Sequence, residues 1–294
     1  RTIIEMDNGQ KIHFYPTNKV RIPIDKNVII QNKVVNPLQN DSIVPYIDIE
    51  IKGQALYKNR LMMLDVIANN NWKRPVYFTG GSFGDDDYLW MKDYLQLDGM
   101  VYKLVPIRTA IPKDGSPLDM GQIDSDKMYN IVMKWDWGNG ELKTIYHDPE
   151  TRKNSISYRT NLARLMEQLI NEGKKDKAKN IIDLAMTKMP VQYYGYYSLI
   201  DPFAGGYYEI GEKQKARQLL EELMTKYKEN LTYYKGLKAS EQSDLVIDII
   251  TDIERYRGLL QVMKDRGDIE FYNKNKSIFN SYNKMFERFG RDNE

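Results

Sequence analysis

The chain has 294 residues, 41% of them apolar and 29% charged, and its 43 lysines and arginines nearly cancel its 41 aspartates and glutamates. That composition describes a globular protein with length for one large core or two ordinary ones, and the lack of any concentrated positive charge argues against a nucleic-acid partner. No cysteine is present and only two histidines, His13 and His147, so disulfides, thiolate metal sites and cysteine nucleophiles are excluded and no metal or other cofactor is expected.

No apolar run approaches the roughly 18 residues of a membrane span, and no signal peptide opens the chain. It begins at Arg1, inside plausible strand sequence, which reads as a piece of something longer. In chain order, "KIHFYP" and "KVRIPID" alternate like edge strands, with Pro16 and Pro23 interrupting any ladder. "VPYIDIEI", Val44 to Ile51, alternates cleanly and predicts a strand. Leu56, Arg60, Leu61, Leu64, Ile67 and Ala68 then follow a helical rhythm that ends at Asn69 to Asn71, where asparagine tolerates the left-handed conformation. "PVYFTG" predicts a short strand, "DDDYLWMKDYLQL" a helix with its acids at the amino end, and "GMVYKLVPI" another strand.

Strand, helix, strand, helix, strand over 43–110 predicts a small α/β unit with parallel pairs. "MYNIVMKWDW", "GNG" and "ELKTIYH" over 129–147 read as a hairpin turning at Asn139-Gly140. A boundary is expected near 147–155, giving an amino-terminal domain over 1–153 and a helical one over 154–294.

The carboxy-terminal half repeats. Leu162, Leu165, Met166, Leu169 and Ile170 form one helical stripe, Gly173 breaks it, and Ala178, Ile181, Ile182, Ala185 and Met189 form a second that Pro190 stops. Gly211, Ala216, Leu219, Leu220 and Leu223 echo this 38 residues on, after a helix face of Phe203, Ala204, Tyr207 and Tyr208. Lys228 stands where the terminal proline would return, and Pro202, with Asp201 as cap, should make the leading helix start late and run short. A divergent third pair runs from Leu245 to Met263 and from Ile278 to Phe289. The pattern resembles the tetratricopeptide repeat, whose period is about 34. The expected fold class is therefore α+β: an α/β domain with a small mixed sheet, then an all-α array of tetratricopeptide-like helical hairpins.

Two groups of side chains are candidate sites. Asn70, Trp72, Arg74, Tyr77 and Asp85 lie where a strand's carboxyl end meets a helix start, the edge at which open α/β sheets bind ligands. Asp85 to Asp87 would repel a phosphate there, and Gly80, Gly81 and Gly84 lack the spacing of a phosphate-binding loop. Tyr193, Tyr194, Tyr197 and Tyr208 could line a partner groove, although tyrosines so spaced more often pack. Trp135 with Trp137 could stack on a sugar or close a core, and His147 beside Asp148 and Glu150 has no nucleophile to pair with.

"LMMLDVIANNNWKRPVYF", "DYLQLDGMVYKLVP", "IYHDPETR", "LINEGKKDKAKNIIDLAMTKMP", "YYEIGEKQKARQLLEEL" and "LTYYKGL", from about Ile43 to Leu237, resemble one family in the same order. It is the soluble carboxy-terminal region of bacterial polytopic membrane proteins whose amino-terminal domain, of unknown function, is similar to protein O-mannosyltransferases. The resemblance implies that the catalytic acid belongs to the membrane domain, so no family catalytic residue is carried onto this chain. It implies a non-catalytic accessory region on the periplasmic side of the inner membrane, whose partners are the membrane-embedded part of its own parent and a protein or glycan acceptor. The alternative is a carbohydrate- or anion-binding enzyme domain with its site near Asn70 to Asp87.

Overall fold

The computed structural model describes residues 2–15, 17–51, 56–79, 88–109, 111, 120–195 and 197–289. Pro16 and residues 80–87, including Asp85, lie outside these residues. The chain divides into two compact units, Arg1–Lys134 and Trp135–Glu294. The fold class is α+β: small sheets in the first unit and a helical array in the second.

In the amino-terminal unit, β1 (Thr2–Glu5) and β2 (Lys11–Phe14) form an exposed antiparallel hairpin. β3 (Lys19–Pro23) pairs antiparallel with β4 (Tyr46–Glu50), setting Ile22 against Ile47 and Val20 against Ile49. The alternation of β4 buries Ile47 and Ile49. On the opposite face Arg21 donates two hydrogen bonds to Asp48, at 2.7 and 2.9 Å, and lies over the Tyr46 ring. Asp25 caps the short helix α1 (Lys26–Gln31), and α2 (Lys58–Asn69) follows β4.

The expected parallel unit is instead antiparallel. β5 (Tyr77–Thr79), β6 (Leu95–Asp98) and β7 (Val101–Leu104) form a sheet in the order β5-β7-β6, and both pairings are antiparallel. The helix predicted through Leu97 stops as a 3-10 turn over Tyr88–Tyr94, and Leu95 to Asp98 join the sheet. Burial explains the override: all four β6 residues are buried, on both faces, where a helix would have exposed one side.

The hairpin expected over 129–147 is likewise absent. Ser125–Val132 form helix α3, capped by the Asp124 carboxylate on the Lys127 amide, with Met128 and Val132 buried one turn apart. Turns follow, with Gly138 and Asn139 both left-handed. Trp135 and Trp137 pack on each other and on Tyr158, with ring centroids 5.4 to 5.7 Å apart, in place of a shared strand face.

Helix α4 (Pro149–Asn171) runs through the expected boundary at 153. Asp148 accepts from the Glu150 and Thr151 amides, Pro149 opens the helix, and Glu150 lies in its first turn. α4 and α5 (Lys175–Lys188) make the first helical hairpin. The short helix α6 (Val191–Tyr194) leads to α7 (Asp201–Glu209), which with α8 (Lys213–Gly236) makes the second. α9 (Ala239–Asp244) precedes the third, α10 (Val246–Asp265) with α11 (Ile269–Met285). α7 is short, as Pro202 implies, but Asp201 is its first residue and not its cap. Pro190 ends α5, whereas Lys228, 38 residues on, lets α8 continue for two further turns.

Each hairpin turns on one glycine, Gly173, Gly211 or Gly267, with φ of +73°, +91° and +69°. In all three the glycine amide donates three residues back, and the next amide donates five back, which is the Schellman arrangement. A left-handed Cβ is unfavourable at these positions, so the glycines are required.

Ion pairs join successive hairpins in a repeated pattern. Lys179, six residues after the first turn glycine, pairs with Glu212, one residue after the second. Arg217, six after the second, pairs with Asp268, one after the third, through two hydrogen bonds at 2.8 and 2.6 Å. Tyr207 and Tyr208 reach opposite ways, to Asp183 of the first hairpin and Asp268 of the third. Within the array Arg159 is fully buried and donates to the Met189 and Gly195 carbonyls, so it ties down the link between the first two hairpins.

Two carboxylates of this unit have opposite pH behaviour. Hydrogen bonds from Arg217 hold Asp268 well below the usual carboxylate range, so its stabilisation is present above about pH 4 and lost in acid. Burial raises Asp201 to about 7, opposed by Arg255, so its contribution is present below about pH 4 and lost as the pH rises through 7. Thermal unfolding across this range should show Asp201→Asn gaining up to about 4 kcal/mol at pH 7 with a flatter pH 4–7 profile. Asp268→Asn should lose about 3 kcal/mol at pH 7, because Arg217 and Lys213 lose the buried charge they share and Arg217 keeps only its exposed contact with Glu270.

Candidate functional site

Between α2 and β5 the chain must reverse within a few residues. The Asn70 side chain closes that loop: its Nδ2 donates to the Arg74 carbonyl at 2.6 Å, and its Oδ1 accepts from the Arg74 amide at 3.3 Å. The next two residues, Asn71 and Trp72, are both left-handed, with φ of 46° and 55°. Such a backbone costs an L-residue about 1–2 kcal/mol; asparagine tolerates it best, and a bulky indole has no comparable compensation. Two contacts hold Trp72 there. Asn32 Nδ2 donates to its carbonyl at 3.2 Å, and its side chain packs on the core of Ile29, Val34, Val35, Val105 and Ile107.

Trp72 also lines a cleft of about 620 Å³. Ala68 and Asn71 line it from the α2 end, Pro23, Ile24, Asp25 and Lys26 from the junction of β3 with α1, and the buried Ile22 and Ile67 complete it. The volume falls within the ~300–1,000 Å³ typical of small-molecule sites. One carboxylate and one ammonium line it, so its formal charge cancels. Asp25 Oδ1 accepts from the Asn27 amide at 2.9 Å, and Lys26 Nζ lies 3.4 Å from the exposed Asp41.

Of the residues expected near this loop, Trp72 alone lines the cleft. Asn70 is committed to the loop, Arg74 is exposed and outside the lining, and Asp85 lies outside the described residues. Tyr77 belongs to a different group. Sequence reasoning missed Asp25 and Lys26, which carry no motif, and undervalued Asn71, although consecutive asparagines after a helix signal left-handed backbone.

Tyr77, itself exposed, borders a buried polar group in the sheet: strand register sets it and Gln96 against Lys103, with Asp98 two residues beyond Gln96. Gln96, Asp98 and Lys103 are all buried. Asp98 accepts from Lys127 Nζ at 2.5 Å, Gln96 Nε2 at 2.8 Å and the Tyr77 hydroxyl at 3.4 Å. Lys103 Nζ donates to the Val34 carbonyl. Burial, reinforced by the Lys127 ammonium, lowers Lys103 to about 8, and burial pushes the Tyr77 phenol up. A lysine inside an otherwise apolar strand was the available signal.

The four tyrosines of the helical unit take part in separate packing contacts. Tyr193 and Tyr194 lie against His147, Tyr194 also reaches the Gly140 carbonyl, Tyr197 meets Tyr227 edge-on, and Tyr208 binds Asp268. Among the described residues no group of three or more acidic or histidine side chains could hold a metal ion, and no helix is long and apolar enough to cross a membrane.

Residues 1–127 match the family model described as TMEM260-associated domain 2, a segment that lies inside the amino-terminal unit and includes the whole cleft. The match points to an accessory domain of a TMEM260-like protein. No curated protein and no solved structure matches the chain.

Chemical denaturation should separate the two asparagines of the loop. Asn70→Ala removes both bonds to Arg74 and is expected to cost about 1–2 kcal/mol, whereas Asn71→Gly relieves the left-handed backbone and should be neutral or stabilising by up to about 1 kcal/mol. Lys103 holds fewer protons in the fold than unfolded between about pH 8 and its ordinary value of 10.5, so stability should rise across that interval. Lys103→Met should abolish that rise; an unchanged slope would place the titration elsewhere.

Proposed function

We propose that this chain is a non-catalytic accessory region of a membrane glycosyltransferase-like protein, serving to position a protein or glycan acceptor on the periplasmic side of the inner membrane. The match of residues 1–127 to TMEM260-associated domain 2 carries the reading. The family resemblance over Ile43 to Leu237 supports it and supplies the glycosyltransferase and the membrane side. The side-chain chemistry is compatible. Asp98, Asp183 and Asp268 each accept from two or more side-chain donors in structural contacts, and Trp72 lines a cleft suited to holding a ligand. The helical hairpins, read as tetratricopeptide-like, add a scaffold of the kind that contacts proteins. The natural partners are the membrane-embedded part of the same parent and the acceptor it modifies.

The reading is tested in membranes holding the full-length parent, by following sugar transfer from a lipid-linked donor to a protein acceptor. Removing this region should raise the KM for acceptor while leaving acceptor-independent donor hydrolysis unchanged, and the isolated chain should show no turnover. Transfer by the isolated chain, or undiminished acceptor use by the truncated parent, would overturn it.

A further inference from the structure

The Trp72 cleft combines features that select for one ligand chemistry. Its apolar part is an indole, a proline ring and the aliphatic side chains of Ile22, Ile24, Ile67 and Ala68. Its polar part brings an amide, a carboxylate and an ammonium from Asn71, Asp25 and Lys26. Asn71 makes no side-chain hydrogen bond among the described residues, and Lys26 has only its exposed 3.4 Å contact with Asp41. A neutral pair of charges does not select an anion or a cation. A purely apolar ligand would strip water from three polar side chains without replacing their hydrogen bonds. A pyranose ring meets both demands, with C–H groups on one face to lie on an aromatic surface and hydroxyls around its edge that donate and accept.

The backbone adds an independent indication. Trp72 is half-buried, and its left-handed conformation is one that the loop sustains only through Asn32 and the core beneath it. Strain kept at the lip of a cleft, on the residue with the largest flat surface there, is characteristic of a ligand-positioning device.

We propose that the cleft formed by Trp72, Asn71, Asp25 and Lys26 binds the sugar ring of a neutral glycan, Trp72 stacking on the ring and the three polar side chains bonding its hydroxyls. This deepens the acceptor-positioning reading and rests on it for its purpose, but the binding itself is measurable on this chain alone. Its volume has room for more than one ring.

The probes are cellobiose, mannobiose and chitobiose, titrated into the chain while the indole N–H resonances are followed by NMR. At least one disaccharide should shift the Trp72 resonance with a dissociation constant of about 1–10 mM, the range expected for one stacking contact and a few hydrogen bonds. Asn71→Gly keeps the backbone and removes the amide, and should weaken binding about five- to tenfold while the protein stays folded. Trp72→Leu should abolish the interaction as read from the backbone amide resonances of Asn71 and Lys26, with the remaining indole resonances reporting that the fold survives. No shift with any of the three sugars at about 50 mM overturns the proposal. So does a response to choline or inorganic phosphate in place of the sugars, or sugar binding that is indifferent to Asn71→Gly. If the sugar binds but the same substitutions in the full-length parent leave acceptor use unchanged, the cleft assignment stands and the acceptor-positioning role fails.

Discussion

The carboxylate of Asp268, almost wholly buried at the turn of the third hairpin, is surrounded by the Nε and Nη2 of Arg217, the Tyr208 hydroxyl and Lys213 Nζ. Taking that charge out of water is unfavourable unless all its partners arrive together. All of them come from the second hairpin, so the pairing requires one relative placement of the two. Apolar faces such as those of Leu220, Leu223, Ile253 and Tyr256 tolerate sliding by a turn; a multiply bonded carboxylate does not. Lys179 and Glu212 repeat the arrangement between the first and second hairpins at the same distances from their turn glycines. The helical unit is thus an array whose repeat lies in its electrostatic joints as much as in its apolar stripes.

The amino-terminal unit is organised differently. Its sheets have two or three strands, and much of what holds them is polar: the Arg21–Asp48 pair outside, and Asp98, Lys127, Gln96 and Lys103 within. A small sheet that buries a lysine and an aspartate depends on α3 and on the Val34 carbonyl to satisfy them. The same economy of structure recurs at the α2–β5 loop. There one asparagine closes the turn, the next tolerates it, and the tryptophan after them is half-buried against the core below it. The cleft is therefore a product of the loop's tightness, and the family match over 1–127 places it in the segment shared with TMEM260-associated domain 2.

Much of the helical unit was legible in the residues. Apolar spacing at 162–170 and 178–189, the glycines at 173 and 211 and the proline at 190 specify two hairpins, because a 3.6-residue period and a left-handed break are local properties. The first helix of the third hairpin followed its apolar positions, but its second runs from Ile269 to Met285 in place of Ile278 to Phe289, buries Phe271 and Phe279, and leaves Ile278 and Met285 exposed. Less was legible where the same residues suit two structures. Tyr94 to Asp98 continue a helical pattern yet form a strand, and Asn139-Gly140 signals a turn that no strands flank. At the site, Trp72 stood among five residues that the sequence grouped together, of which it alone lines the cleft, whereas Asp25 and Lys26 are ordinary residues brought alongside it by the fold.

By itself, then, the sequence determined the α+β class, the helical hairpins and their turn glycines, the short α7 and the unusual character of the loop around Trp72. All of these depend on periodicity or on the conformational preferences of single residues. Tertiary structure decided the antiparallel order β5-β7-β6, the replacement of a hairpin by α3, the ion pairs that join the hairpins and the membership of the cleft. Each of those depends on which distant groups satisfy a buried strand, carboxylate or indole, and no local pattern records that choice.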